Sequence, residues 1–179
     1  MLSRRFEYGL TGLFLGFFAS AWFGWGNAAA PAWLEPWLIV GSVLSLAAAA
    51  TGAVVAVRNR RTARPRDPAF NRRYGILVGI EFGVAFVGAA ILGIAGQADY
   101  IPVWVCAVVG VHFFPLAPVL DDRGLVPLGV VVTAIAVVAL VVGLATDTAP
   151  GTVTGVGAGV ALLAYALSGL VRAAAPATP

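Results

Sequence analysis

The runs 8–26, 36–57, 74–96, 100–120, 125–145 and 151–171 are each almost continuously apolar. Each is long enough to cross roughly 30 Å of hydrocarbon at about 1.5 Å of rise per residue. A backbone crossing lipid must satisfy its own polar groups, which leaves the α-helix as the fitting structure for runs of this length. Composition agrees, since charged residues are 11% of the 179 and hydrophobic residues 60%, whereas soluble domains carry about a quarter charged residues. The expectation is an all-α, polytopic membrane protein: residues 1–179 form a single domain, a six-transmembrane-helix bundle.

The first run competes with a signal peptide, because Ala28-Ala29-Ala30 resembles a cleavage site. Its length exceeds the roughly 7–15 residues of a signal core, and Pro31 would occupy the position after the cut. It is therefore read as an uncleaved span.

Charge placement fixes the expected orientation. All eleven basic residues are arginine. Six alternating spans put every one of them on one side, together with both termini and the turn Asp121-Asp122-Arg123-Gly124. The opposite loops carry Glu35, Asp99 and Asp147 and no basic residue. Basic loops are retained in the cytoplasm, which predicts an inner (plasma) membrane protein of bacterial type with both termini cytoplasmic. Trp22, Trp25, Trp33, Trp37 and Trp104 then fall near outer span ends, where interfacial aromatic residues gather.

The polar segment 58–73 holds Arg58, Arg60, Arg61, Arg64, Arg66, Arg72 and Arg73 against Asp67 alone. Pro65 and Pro68 argue against one regular helix through it. It is expected to touch anionic lipid headgroups, at about 1 kcal/mol per arginine near a charged leaflet. Its spacing contains no base-reading module, so nucleic acid is not an expected partner.

Close helix packing in lipid relies on small residues. Gly12, Gly16, Ser20 and Gly24 form one such stripe, Gly75, Gly79 and Gly83 a second, and Gly151, Gly155 and Gly159 a third. Glu81 falls about 200° from Gly79 on the helical wheel, beside Ala85 and Gly88. With small residues on two faces, the third span is expected to be central.

Chemistry concentrates around Glu81, the carboxylate well inside a span, and His112, the single histidine. Both count to about 10–12 Å from the inner side, on spans joined by a tight turn. Their side chains are therefore expected to meet. Pro115 and Pro118 each remove a helical N–H, which frees the carbonyls of Val111 and Phe114 beside His112. Thr51, Thr133 and Tyr165 count to similar depths, and together these residues would form one polar layer binding a proton, a cation or a small polar solute. Pairing and desolvation act in opposite directions on an acid and a base in lipid, so the two would titrate as a unit.

No catalytic motif stands out, which argues against an enzyme. One cysteine, Cys106, and one histidine give neither a disulfide nor a metal centre, and no cofactor motif occurs. The leading expectation is a transporter or channel-like protein for a proton-linked or small polar solute. The alternative is a non-catalytic scaffold or accessory subunit in which the pair is structural. Six short spans leave little room for a pathway in one copy, so a homodimer is compatible with either.

Overall fold

The computed structural model describes residues 2–62 and 67–175, and Arg64 and Arg66 lie outside the described residues. The described residues form six α-helices: α1 (Leu2–Asn27), α2 (Glu35–Asn59), α3 (Pro68–Ile94), α4 (Ile101–Leu120), α5 (Leu125–Ala145) and α6 (Pro150–Ala174). Short 3-10 turns at Arg60–Thr62 and Ala98–Tyr100 follow α2 and precede α4. Helices α2 to α6 are long and apolar enough to cross a membrane, α4 being counted with the turn before it. Five glycines in α1 dilute its hydropathy. It nevertheless lies along α2 and α6 over its length.

Several boundaries have identifiable causes. Pro36, Pro68, Pro102 and Pro150 stand in the first turns of α2, α3, α4 and α6, where a missing N–H costs no intrahelical bond. Asp67 caps α3, its Oδ1 accepting from the Ala69 N–H at 3.0 Å. That cap and Pro68 start α3 six residues before the apolar run begins at Tyr74. Pro115 and Pro118 are accommodated without breaking α4. The chain turns out of α4 at Asp121, whose φ of 51° lies in the left-handed region that aspartate tolerates.

The tightest packing joins α1, α2 and α6. A Cβ on Gly9 would sit 2.5 Å from the Ala56 nitrogen, and one on Gly16 would sit 2.8 Å from the Ala49 nitrogen. Gly52 is closed in the same way by the backbone of Gly12 and Leu13, and Gly155 by that of Gly26. Farther along, the Phe23 ring is held between Gly41 of α2 and Gly159 of α6. Helix α6 touches α1, α2, α4 and α5, and it is the central element. The core beside it includes Ala19, Trp22, Cys106, Val132, Ala158 and Leu162.

Helix α3 is not central. It has no buried residue and packs on α4 and the 3-10 turn before it. A Cβ on Gly75, Gly79 or Gly83 would meet nothing within 4 Å. Small residues permit close approach but do not attract a neighbour, and here the neighbour is absent. Gly24, at the end of the first stripe, is equally open.

Polar contacts define two ends of the bundle. At one end Arg5 Nη2 donates to the Ala175 carbonyl at 3.1 Å, Arg4 lies 3.8 Å from Asp121, and the Tyr165 hydroxyl donates to Asp122 Oδ2 at 2.8 Å. At the other, the Thr152 hydroxyl reaches the carbonyls of Gly26 and Ala29 at 3.3 and 3.2 Å, and Tyr100 donates to the Gly143 carbonyl at 3.2 Å. Apolar side chains including Phe14, Phe17, Val40, Phe86, Val138 and Leu144 cover much of the outside. Such a surface suits lipid rather than water.

Candidate functional site

Glu81 and His112 meet between α3 and α4, with Glu81 Oε2 3.2 Å from His112 Nε2. The helices run antiparallel through the turn at 95–100, which brings residues at equal depth together. Closure around the pair is considerable, since the His112 side chain is 8% exposed and that of Glu81 16%. Both are ionisable, and their proximity gives each a neutralising partner in a stretch where a lone charge is costly.

A second polar tie lies farther along the same contact. Trp104 Nε1 donates to the Val84 carbonyl at 3.1 Å. Its indole occupies the notch at Gly88, where a Cβ would overlap it. Trp104, expected as an interfacial anchor, is 37% exposed and also clamps two helices. Trp22 departs from that expectation, being 5% exposed and stacked on Trp25 with ring centroids 5.4 Å apart. Trp33 and Trp37 remain exposed.

The rest of the expected polar layer disperses. The Thr51 hydroxyl turns back to the Ala47 carbonyl of its own helix at 2.8 Å, and its residue is exposed. Thr133 packs against Gly110, which stands about 200° around α4 from His112. It therefore lies on the opposite side of that helix from Glu81. Its buried hydroxyl has no hydrogen-bond partner among the described residues. Tyr165 reaches the Asp122 turn at the end of the bundle rather than the pair. Equal depth along an axis says nothing of the direction in which a side chain leaves it.

Val111 and Phe114, close to His112 on α4, are residues 54% and 38% exposed, so what they can offer the pair is main-chain oxygen. Asp122, in the turn after α4, accepts from both Tyr165 and the Gly124 N–H. Arg58, Arg60, Arg61, Arg72 and Arg73 are exposed at the end of the bundle that carries Arg4 and Arg5. Cys106 is buried and turned toward α5, its Sγ 3.4 Å from the Val132 carbonyl oxygen.

An apolar groove of about 460 Å³ runs beside the pair, lined by Gly83, Val84, Val87, Gly88, Ile91, Leu92 and Trp104. Neither Glu81 nor His112 is in its lining. Among the described residues no group of three or more histidine, cysteine or acidic side chains could hold a metal ion. Comparison of the chain with known protein families, with curated proteins and with solved structures finds no match.

Proposed function

We propose that this chain is a non-catalytic membrane scaffold or accessory subunit in which the Glu81–His112 pair fastens α3 to α4. The observation carrying this reading is the enclosure of the pair: acid and base face each other at 3.2 Å with side chains 16% and 8% exposed. The nearby groove is apolar and bypasses them. A group that loads and unloads a solute larger than a proton needs a polar approach of that width, and a fastening does not.

The topology proposed with it has α1 as a sixth span beside the five. Its matched length along α2 supports this, and the arginine distribution supports cytoplasmic termini in a plasma membrane. The exposed arginines of 58–73 would then lie against anionic headgroups.

A second reading, transport of a proton-linked or small polar solute, is favoured by the ionisable nature of the pair. Intramembrane acids and bases often mark proton or ion paths. One experiment separates the two. In proteoliposomes, Glu81→Gln and His112→Ala are expected to lower resistance to unfolding by about 1–3 kcal/mol, as for loss of a closed polar contact, with no proton flux to lose. Flux in the unaltered protein that disappears in a still-folded Glu81→Gln variant would replace the scaffold reading with the transport one.

A further inference from the structure

The fastening of α3 depends on how many protons it holds. Counting the carboxyl proton and the second imidazole proton, the pair can hold none, one or two. With one, its net charge is zero wherever the proton resides. With two it carries a positive charge, and with none a negative one. Either charge would then lie, uncompensated, in the middle of an apolar stretch.

Among the described residues no nearby group neutralises it. From α4, His112 is the titratable side chain facing Glu81, since Cys106 is turned toward Val132 of α5. From the 3-10 turn, Asp99 and Tyr100 belong to the far end of α3, and Tyr100 is engaged with Gly143. On α3 itself Arg72, Arg73 and Tyr74 are seven to nine residues away, about 10–14 Å along the axis.

The other contacts of the helix, including the packing of Tyr74 against the core, carry no charge. Helix α3 buries no residue, and its second polar tie, Trp104 to Val84, is a neutral hydrogen bond indifferent to pH. The α1–α2 contact differs, because backbone there lies against backbone with no ionisable group between. We infer that α3 is a pH-gated helix, seated on α4 while Glu81 and His112 share one proton and displaced when they hold two or none. The inference rests on reading the pair as a fastening, and it makes α3 the movable member of the scaffold.

The test is a distance measurement in nanodiscs on Cys106→Ser/Ile94→Cys/Leu144→Cys, spin-labelled at the two exposed outer ends of α3 and α5. Between about pH 4 and about pH 10, a range spanning ordinary carboxyl and imidazole titrations, one short distance is expected at intermediate pH. A longer one should grow on both the acid and the alkaline side. On each limb the ratio of displaced to seated helix should change by up to about tenfold per pH unit, the limit for one linked proton.

Adding Glu81→Gln leaves only imidazole protonation to create a charge, so the alkaline limb should vanish. Adding His112→Gln leaves only carboxyl ionisation, so the acid limb should vanish. Should one of these variants fail to fold, the limb kept by the other decides. A distance unchanged across the range, or a variant retaining both limbs, overturns the inference. Proton flux is scored separately on the same preparations: flux lost in Glu81→Gln with the limbs intact removes the scaffold reading alone, and a fixed distance without flux removes the gate alone.

Discussion

The stripes of small residues on α1 and α3 look alike in sequence and lie in opposite surroundings. In the first stripe Gly12 and Gly16 are pressed against Gly52 and Ala49 of α2 and Gly24 alone is open, whereas Gly75, Gly79 and Gly83 all face open space. Helix α1 is held by close main-chain approach at its glycines and by the Phe23 ring seated between Gly41 and Gly159. Helix α3 is held by an acid–base pair and an indole. The difference teaches that small residues set how near a neighbour can come, while larger and polar groups decide whether there is one. Contact of the first kind tolerates no added atom, and contact of the second kind can be made and broken.

Gly155→Val offers the severest test. Its side chain would land on the Gly26 backbone, where no side chain can swing aside, and α1 would be forced off α6. The expected result is a loss of at least about 3 kcal/mol or no folded protein, read by SDS unfolding and size-exclusion chromatography. A variant of near-native stability would show that the two helices are not interlocked as described.

Trp104→Phe should have a smaller effect. It removes the Nε1–H donor to Val84 and some of the filling at Gly88, for an expected loss of about 1–2 kcal/mol in the same assay. No loss at all would leave the pair as the main tie of α3. Gly79→Ala should be smallest and of opposite sign, raising stability by up to about 1 kcal/mol through helix propensity. A fall of comparable size would mean that the glycine face of α3 is covered by protein in the membrane.

Much of the helical architecture was legible in the chain because the length of an apolar run is a one-dimensional quantity. The turn at Asp121–Gly124 and the break before α3 followed from local residue chemistry, as did the meeting of Glu81 and His112 across a tight turn. What failed needed a second dimension. Thr51, Thr133 and Tyr165 have the right height and the wrong direction, because a rotation about a helix axis is set by neighbours far away in sequence. The central place went to α6 rather than α3 for the same cause: Gly155 and Gly159 are met on one face by Gly26 and Phe23 of α1, and Gly157 on the opposite face by Ile135 of α5. The signal for the seat of Trp104 is Gly88, which lies on the Glu81 face of α3 and provides room for a large ring there.

The contact between α1 and α6 also sets an order of events during synthesis. Thr152, whose hydroxyl reaches the carbonyl closing α1 at Gly26, is made 126 residues after it. While the ribosome is still producing α2 to α5, the flank of α1 that will receive Gly155 and Gly159 stays open in the nascent chain. The opening hairpin must wait for the sixth helix before its assembly is complete, so any interruption of translation before that helix emerges leaves a half-dressed surface for quality control to recognise.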